Sequence, residues 1–214
     1  MDRHVRVYLE GGGDQASGLT ACRLAFTEFF RPLQSEAASI GVRLDFVAAG
    51  GRDKAFDKFK TALTTSRDRV NLLLVDSADE LPTDEVDRMY PTRQHLKQRD
   101  HWSRPAGVAD DRALLIIRAL EAWLLLDVNA LRERYPNGLK ATNLPPMNVS
   151  TIDRDRLVEL LEKATVDCPA KYRKMHAFDI LPHVSLDLVE SDPTGKRAVS
   201  LIRQHLGLKL KKGK

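Results

Sequence analysis

The chain has 214 residues, of which 43% are hydrophobic and 30% charged, with 34 Lys and Arg against 30 Asp and Glu and a formal net charge of +4. That is an ordinary globular balance, and its interspersed charges permit nucleic-acid binding without demanding it. The longest apolar stretch, residues 113–126, carries Arg118 and Glu121; it falls short of the roughly 20 apolar residues of a membrane span, so no membrane contact is expected. The N-terminal residues enter a strand pattern directly, without the apolar run of a secretory leader. Cys22 and Cys168 lie far apart. They read as two free thiols, and the expected location is a reducing cytoplasm.

Residues 4–9 alternate polar and apolar side chains and run into Glu10 and three glycines, which predicts a short strand and a tight loop. Residues 15–40 hold apolar positions at helical spacing, kinked or split at Pro32. Gly41 suits a helix C-cap, and residues 42–48 form the second expected strand. After Gly50 and Gly51, residues 53–64 gather Ala55, Phe56, Phe59, Ala62 and Leu63 on one helical face. Residues 70–75 are almost wholly apolar, as in strands of a parallel sheet covered on both faces. The order βαβαβ predicts right-handed crossovers and an α/β layer architecture.

Prolines 82, 91 and 105 break residues 79–110, read as a long loop with a short helix near 92–98. Residues 111–126 read as one strongly apolar helix, with Asp110 or Asp111 as its N-cap. Further helices are expected over 129–135, 153–165, 176–181, 186–190 and 195–205, with a proline-bearing linker at 139–152. The expected organisation is an α/β core over residues 1–110 and a mainly helical portion over 111–214, packed together as one unit.

Ligands of parallel α/β sheets collect at the carboxyl ends of strands. Three segments meet that condition: Glu10 to Asp14, Gly50 to Asp53, and Asp76 to Glu80. Carboxylates brought together on one edge repel unless a cation neutralises them, and Mg²⁺ (or Mn²⁺) suits a few carboxylates plus waters and phosphate oxygens. Gly11, Gly12 and Gly13 would let backbone N–H groups approach a phosphate, and Arg52 would clamp one. The combination points to metal-assisted phosphoryl-transfer or phosphodiester chemistry. Plain alternatives stand beside it: a glycine turn with neither a Walker lysine nor GxGxxG spacing, and a turn aspartate at position 76. Lys171, Arg173, Lys174 and His176, with Tyr172, form the densest basic and aromatic cluster, either a phosphate-backbone contact or a solvated helix start. His95 and His101 do not match a zinc spacing.

The strings ValTyrLeuGluGlyGlyGlyAsp (7–14), AlaGlyGlyArgAspLysAlaPheAspLysPheLys (49–60), LeuLeuLeuValAspSer (72–77), GlnHisLeuLysGlnArgAspHisTrp (94–102), LeuGluAlaTrpLeuLeuLeuAsp (120–127) and LysTyrArgLysMetHisAlaPhe (171–178) together carry a family resemblance. Glu10 after the first strand and Asp76 after the third resemble the acidic positions of the Toprim fold. Over nearly its whole length the chain is more closely similar to a Toprim-like bacterial family, domain of unknown function 4276. The resemblance implies a Toprim-like parallel sheet and a Mg²⁺-dependent nuclease, working within prokaryotic (antiphage) defence beside a separate ATPase partner. It implies Glu10 and Asp76 as catalytic metal ligands. Where the Toprim pattern has its second aspartate this chain has Ala78, leaving Asp79 or Glu80 to supply that ligand. The resemblance also draws in Glu121 and Asp127 as supporting acids, beside Asp14 at the end of the glycine loop, although Glu121 could instead pair with Arg118. Two other readings are a catalytically weak module that binds a partner protein or nucleic acid, favoured by Ala78, and a nucleotide-binding enzyme using the glycine loop.

Overall fold

The computed structural model describes residues 3–79, 81, 90–145 and 149–210. Four strands form one parallel sheet: β1 (Arg3–Leu9), β2 (Val42–Ala48), β3 (Val70–Asp76) and β4 (Ala113–Ile116), in the order β2-β1-β3-β4. Register puts Val7 between Phe46 and Leu72, and Leu9 between Ala48 and Leu74. β1 and β2 therefore end level, β3 runs two residues further, and the segments that follow all three emerge on one edge.

Pro32 splits the first long helix. The first part is α1 (Ala16–Phe29), and α2 (Arg31–Ala38) restarts after Phe30 with the proline in its first turn. There the missing N–H costs nothing, because it would have had no intrahelical partner. α3 (Arg52–Thr65) begins directly after Gly51, and α4 (Tyr90–Asp100) is longer than the short helix expected near 92–98.

The helix expected over residues 111–126 is corrected by the structure. A short 3₁₀ turn at Asp110–Arg112 leads into β4, which pairs with β3 from Leu73↔Ala113 to Asp76↔Ile116. Arg118 then adopts φ 70, a left-handed conformation that no helix interior accepts. Only Leu120–Leu125 is helical, as α5. A short apolar run does not reveal whether it is a buried strand or a buried helix, and sheet pairing decided the matter.

The remaining helices are α6 (Val128–Arg134), α7 (Arg154–Ala164), α8 (Ala177–Ile180), α9 (Leu186–Ser191) and α10 (Lys196–Leu206). One sheet face packs on α1, α2, α5 and α10 through Phe26, Phe30, Leu33, Trp123 and Ile202. The other packs on α3 and α4 through Phe59, Leu96 and Trp102. This is an α/β fold with both faces of a parallel sheet covered, consistent with a Toprim-like arrangement, and the second half is helical apart from β4. Trp123 is a core residue: its ring stacks on Phe29 and its indole N–H donates to the Thr194 carbonyl at 3.2 Å. Buried Arg203 ties α10 to Glu190 at 2.6 Å and to Glu36 at 2.8 Å. Among the described residues no helix is long and apolar enough to cross a membrane.

Candidate functional site

The carboxyl edge of the sheet is built by backbone contacts between loops. The Glu10 N–H donates to the Leu74 carbonyl at 3.2 Å, ending β1 against β3. Gly11 and Gly50 exchange hydrogen bonds of 2.8 and 3.1 Å, which fastens the loop after β1 to the loop after β2. Gly12, at φ +84, lies against Gly18 in the first turn of α1, so close that a methyl group on either would overlap the other's carbonyl oxygen. Glycine is required here by contact as much as by conformation.

These loops open onto a cleft of about 770 Å³. Five acids line it, and three of them sit at its base: Glu10 after β1, Asp76 at the end of β3, and Glu121 in the first turn of α5, just beyond β4; Asp14 and Asp179 are the other two. Arg154, Arg173 and Lys174 line the same cleft. Asp76 carries the electrostatic cost of the arrangement. Burial first, then the charges of Glu10 and Glu121, push its carboxyl up to about 8, against partial relief from Arg154 and Arg52. Its side chain is 18% exposed, and its ion pair with Arg154 spans 3.9 Å. The Glu121 carboxylate accepts from the Tyr172 hydroxyl at 3.2 Å. Burial and that neighbouring carboxylate hold the Tyr172 phenol far above its ordinary value, so it stays a donor. Arg118, the alternative partner for Glu121, turns instead to Asp153 at 3.2 Å and to the Ser150 carbonyl.

Arg52 organises the edge from inside the protein. It grips both oxygens of Asp100 at 2.7 Å, donates to Glu10 at 3.0 Å and to the Asp76 carbonyl at 2.5 Å, and lies over the Trp102 ring. Its donors are thus directed at protein acids, and it positions Glu10. Lysine keeps the charge but has no planar fork to bridge two acids. Arg52→Lys is expected to lower stability by about 1–2 kcal/mol in urea unfolding; a variant as stable as the parent would show the bridge to be dispensable.

The other expected residues divide clearly. Gly11, Gly12, Gly13, Arg173, Lys174 and His176 all line the cleft. His176 Nδ1 meets the Tyr135 hydroxyl at 2.9 Å, and burial holds its imidazole below the usual range. Asp14 also lines the cleft but is largely exposed and paired with Lys54 at 2.6 Å. Lys171 lies in a separate groove, paired with Glu162 at 2.8 Å. Asp127 is the N-cap of α6, accepting from the N–H groups of Asn129 and Ala130 and from that of Ser185. Asp79 is 66% exposed, pairs with Arg99 at 3.2 Å and is not among the residues that line the cleft. Ala78 adopts φ 62, its N–H bound to the Arg118 carbonyl at 2.8 Å. Glu80 lies outside the described residues. Sequence reasoning missed Arg154 and Asp100, which reach the edge only through the packing of α7 and α4 and carry no local signal.

Among the described residues no group of three or more His, Cys, Asp or Glu is gathered so as to hold a metal ion. Glu10 and Asp76 offer hard oxygens from two carboxylates on one strand edge, a donor set that fits a cation keeping most of its waters, as Mg²⁺ does.

Comparisons with curated proteins and with solved structures each return no match. A family model, Domain of unknown function (DUF4276), matches residues 9–194, and the chain therefore belongs to that family.

Proposed function

We propose that this protein is a Mg²⁺-dependent (or Mn²⁺-dependent) phosphodiesterase acting on nucleic acid, a nuclease of Toprim-like type. One observation carries the reading: a single cleft holds Glu10 and Asp76 at the strand ends and Arg154, Arg173 and Lys174 around them. Acids alone would suit a cation, and cations alone an anion. Both in one cleft suit a metal-bridged phosphate.

When bound, the metal ion would polarise the phosphoryl oxygens and supply an activated water. Glu10 and Asp76 would hold it, with Glu10 kept in place by Arg52. Arg173 and Lys174 would bind the phosphate backbone, and His176 would donate a hydrogen bond to it as a neutral imidazole. Work within a prokaryotic defence system and a separate ATPase partner extend the proposal on the family resemblance alone, and a cytoplasmic location extends it on the two free thiols. The second reading, a catalytically weak module that binds a partner, is favoured by Ala78 and by the pairing of Asp79 with Arg99.

Cleavage of labelled single-stranded and duplex oligonucleotides, with Mg²⁺ or Mn²⁺ and with chelator, separates the two. Metal-dependent cleavage is expected, falling at least about 100-fold in Glu10→Gln and in Asp76→Asn. Oligonucleotide binding without cleavage, unchanged in both variants, would support the module instead.

A further inference from the structure

Two arginines neutralise the acids of the cleft, and they are held very differently. Arg52 is 13% exposed and engages protein oxygens through all three guanidinium nitrogens. Withdrawing it would leave Glu10 without its ion pair and Asp100 with Arg99 alone, a costly change near the sheet. Arg154 is 36% exposed and meets Asp76 at one point, 3.9 Å away, beyond hydrogen-bond range. It comes from a separate element, as the first residue of α7. Such a contact adds little stability and is easily given up.

We infer that Arg154 is an exchangeable cation: it occupies the charge position beside Asp76 while no divalent ion is bound, and moves to the substrate phosphate when one binds. The inference rests on the metal-dependent reading above and assigns this residue a role within it. A divalent ion approaching Asp76 meets a positive guanidinium 3.9 Å from the same carboxylate oxygen, and the two repel. Displaced, Arg154 remains in the same cleft as Arg173 and Lys174. Among the described residues neither of these has an ion pair with a carboxylate. Three cations then face the open side of the cleft, where a phosphate bridging to the metal would lie. The consequence is thermodynamic coupling. Metal frees a phosphate ligand, and phosphate draws away the metal's competitor, so each must tighten binding of the other by the same factor.

The experiment is calorimetric titration of the full chain with Mg²⁺ in alkaline buffer, with and without inorganic phosphate. The parent, Arg154→Ala and Arg154→Lys are compared, and thermal melts confirm that each is folded. Without phosphate, Arg154→Ala is expected to bind Mg²⁺ about 5–10-fold more tightly than the parent, while Arg154→Lys stays near the parent. Phosphate is expected to tighten Mg²⁺ binding about 5-fold in the parent and to have little effect in Arg154→Ala. If the parent binds Mg²⁺ and Arg154→Ala binds it equally or more weakly, the exchange role is wrong and the metal-dependent reading stands. The exchange role also fails if phosphate tightens Mg²⁺ binding equally in parent and Arg154→Ala. If Mg²⁺ binds to none of the three, the metal-dependent reading falls, and the exchange role with it.

Discussion

Gly18→Ala is expected to destabilise the chain by about 3 kcal/mol in urea unfolding, unusually much for a one-carbon change at a helix start. The added methyl group would stand 2.1 Å from the Gly12 carbonyl oxygen, and backbone on both sides leaves no flexible side chain to give way. Relief would require the loop after β1 to lift off α1. That loop is also hydrogen-bonded to Gly50, so the disturbance passes to the loop after β2. Glu10 begins the displaced segment, and the variant should lose the proposed metal-supported cleavage together with stability. Gly51→Ala is the control. Gly51 has an ordinary φ of −64 and open space where a methyl group would go. Its replacement should cost under about 1 kcal/mol. Equal losses in the two variants would show that the glycine contact does not hold the edge together.

Asp76→Asn should do the opposite and stabilise the protein while abolishing the proposed metal-dependent cleavage. The carboxyl of Asp76 rises from an ordinary 3.8 to about 8 in the folded chain. Between those values the folded state holds a proton that the unfolded state has released, so stability falls as pH rises through that interval and then levels off. Asparagine carries no charge to be repelled by Glu10 and Glu121. Its advantage over the parent should be small near pH 4 and grow to about 2 kcal/mol above pH 8 with divalent ions chelated; partial exposure and coupling to Glu10 reduce it below the full shift. Thermal melts of parent and variant across that range provide the check. A variant less stable than the parent at alkaline pH would mean that the charge of Asp76 is well compensated and costs the fold nothing. A residue that weakens the fold in its charged form is typical of a site organised for a ligand.

Much of this edge is legible in the residues themselves. Strand patterns at 4–9, 42–48 and 70–75 correspond to β1, β2 and β3, because the apolar demand of a two-faced sheet is written into consecutive side chains. Glu10 and Asp76 follow from those strand ends, and the glycines from the turns they must make. Lys171 and Asp127 show the limit of such reasoning. A basic cluster made Lys171 a candidate and the family resemblance made Asp127 one, yet Lys171 serves a surface pair with Glu162 and Asp127 caps α6.

The acids at the two strand ends were thus determined by the sequence alone, because local patterning places the ends of parallel strands together. Their surroundings were decided only by tertiary structure. β4 became a strand because β3 had an open edge to pair with, and that pairing brought Glu121 to the cleft. Packing of α4 and α7 added Asp100 and Arg154, residues 24 and 78 positions beyond Asp76 in the chain. Ion pairs between distant segments leave no period or motif in a sequence, since they depend on where whole helices come to rest.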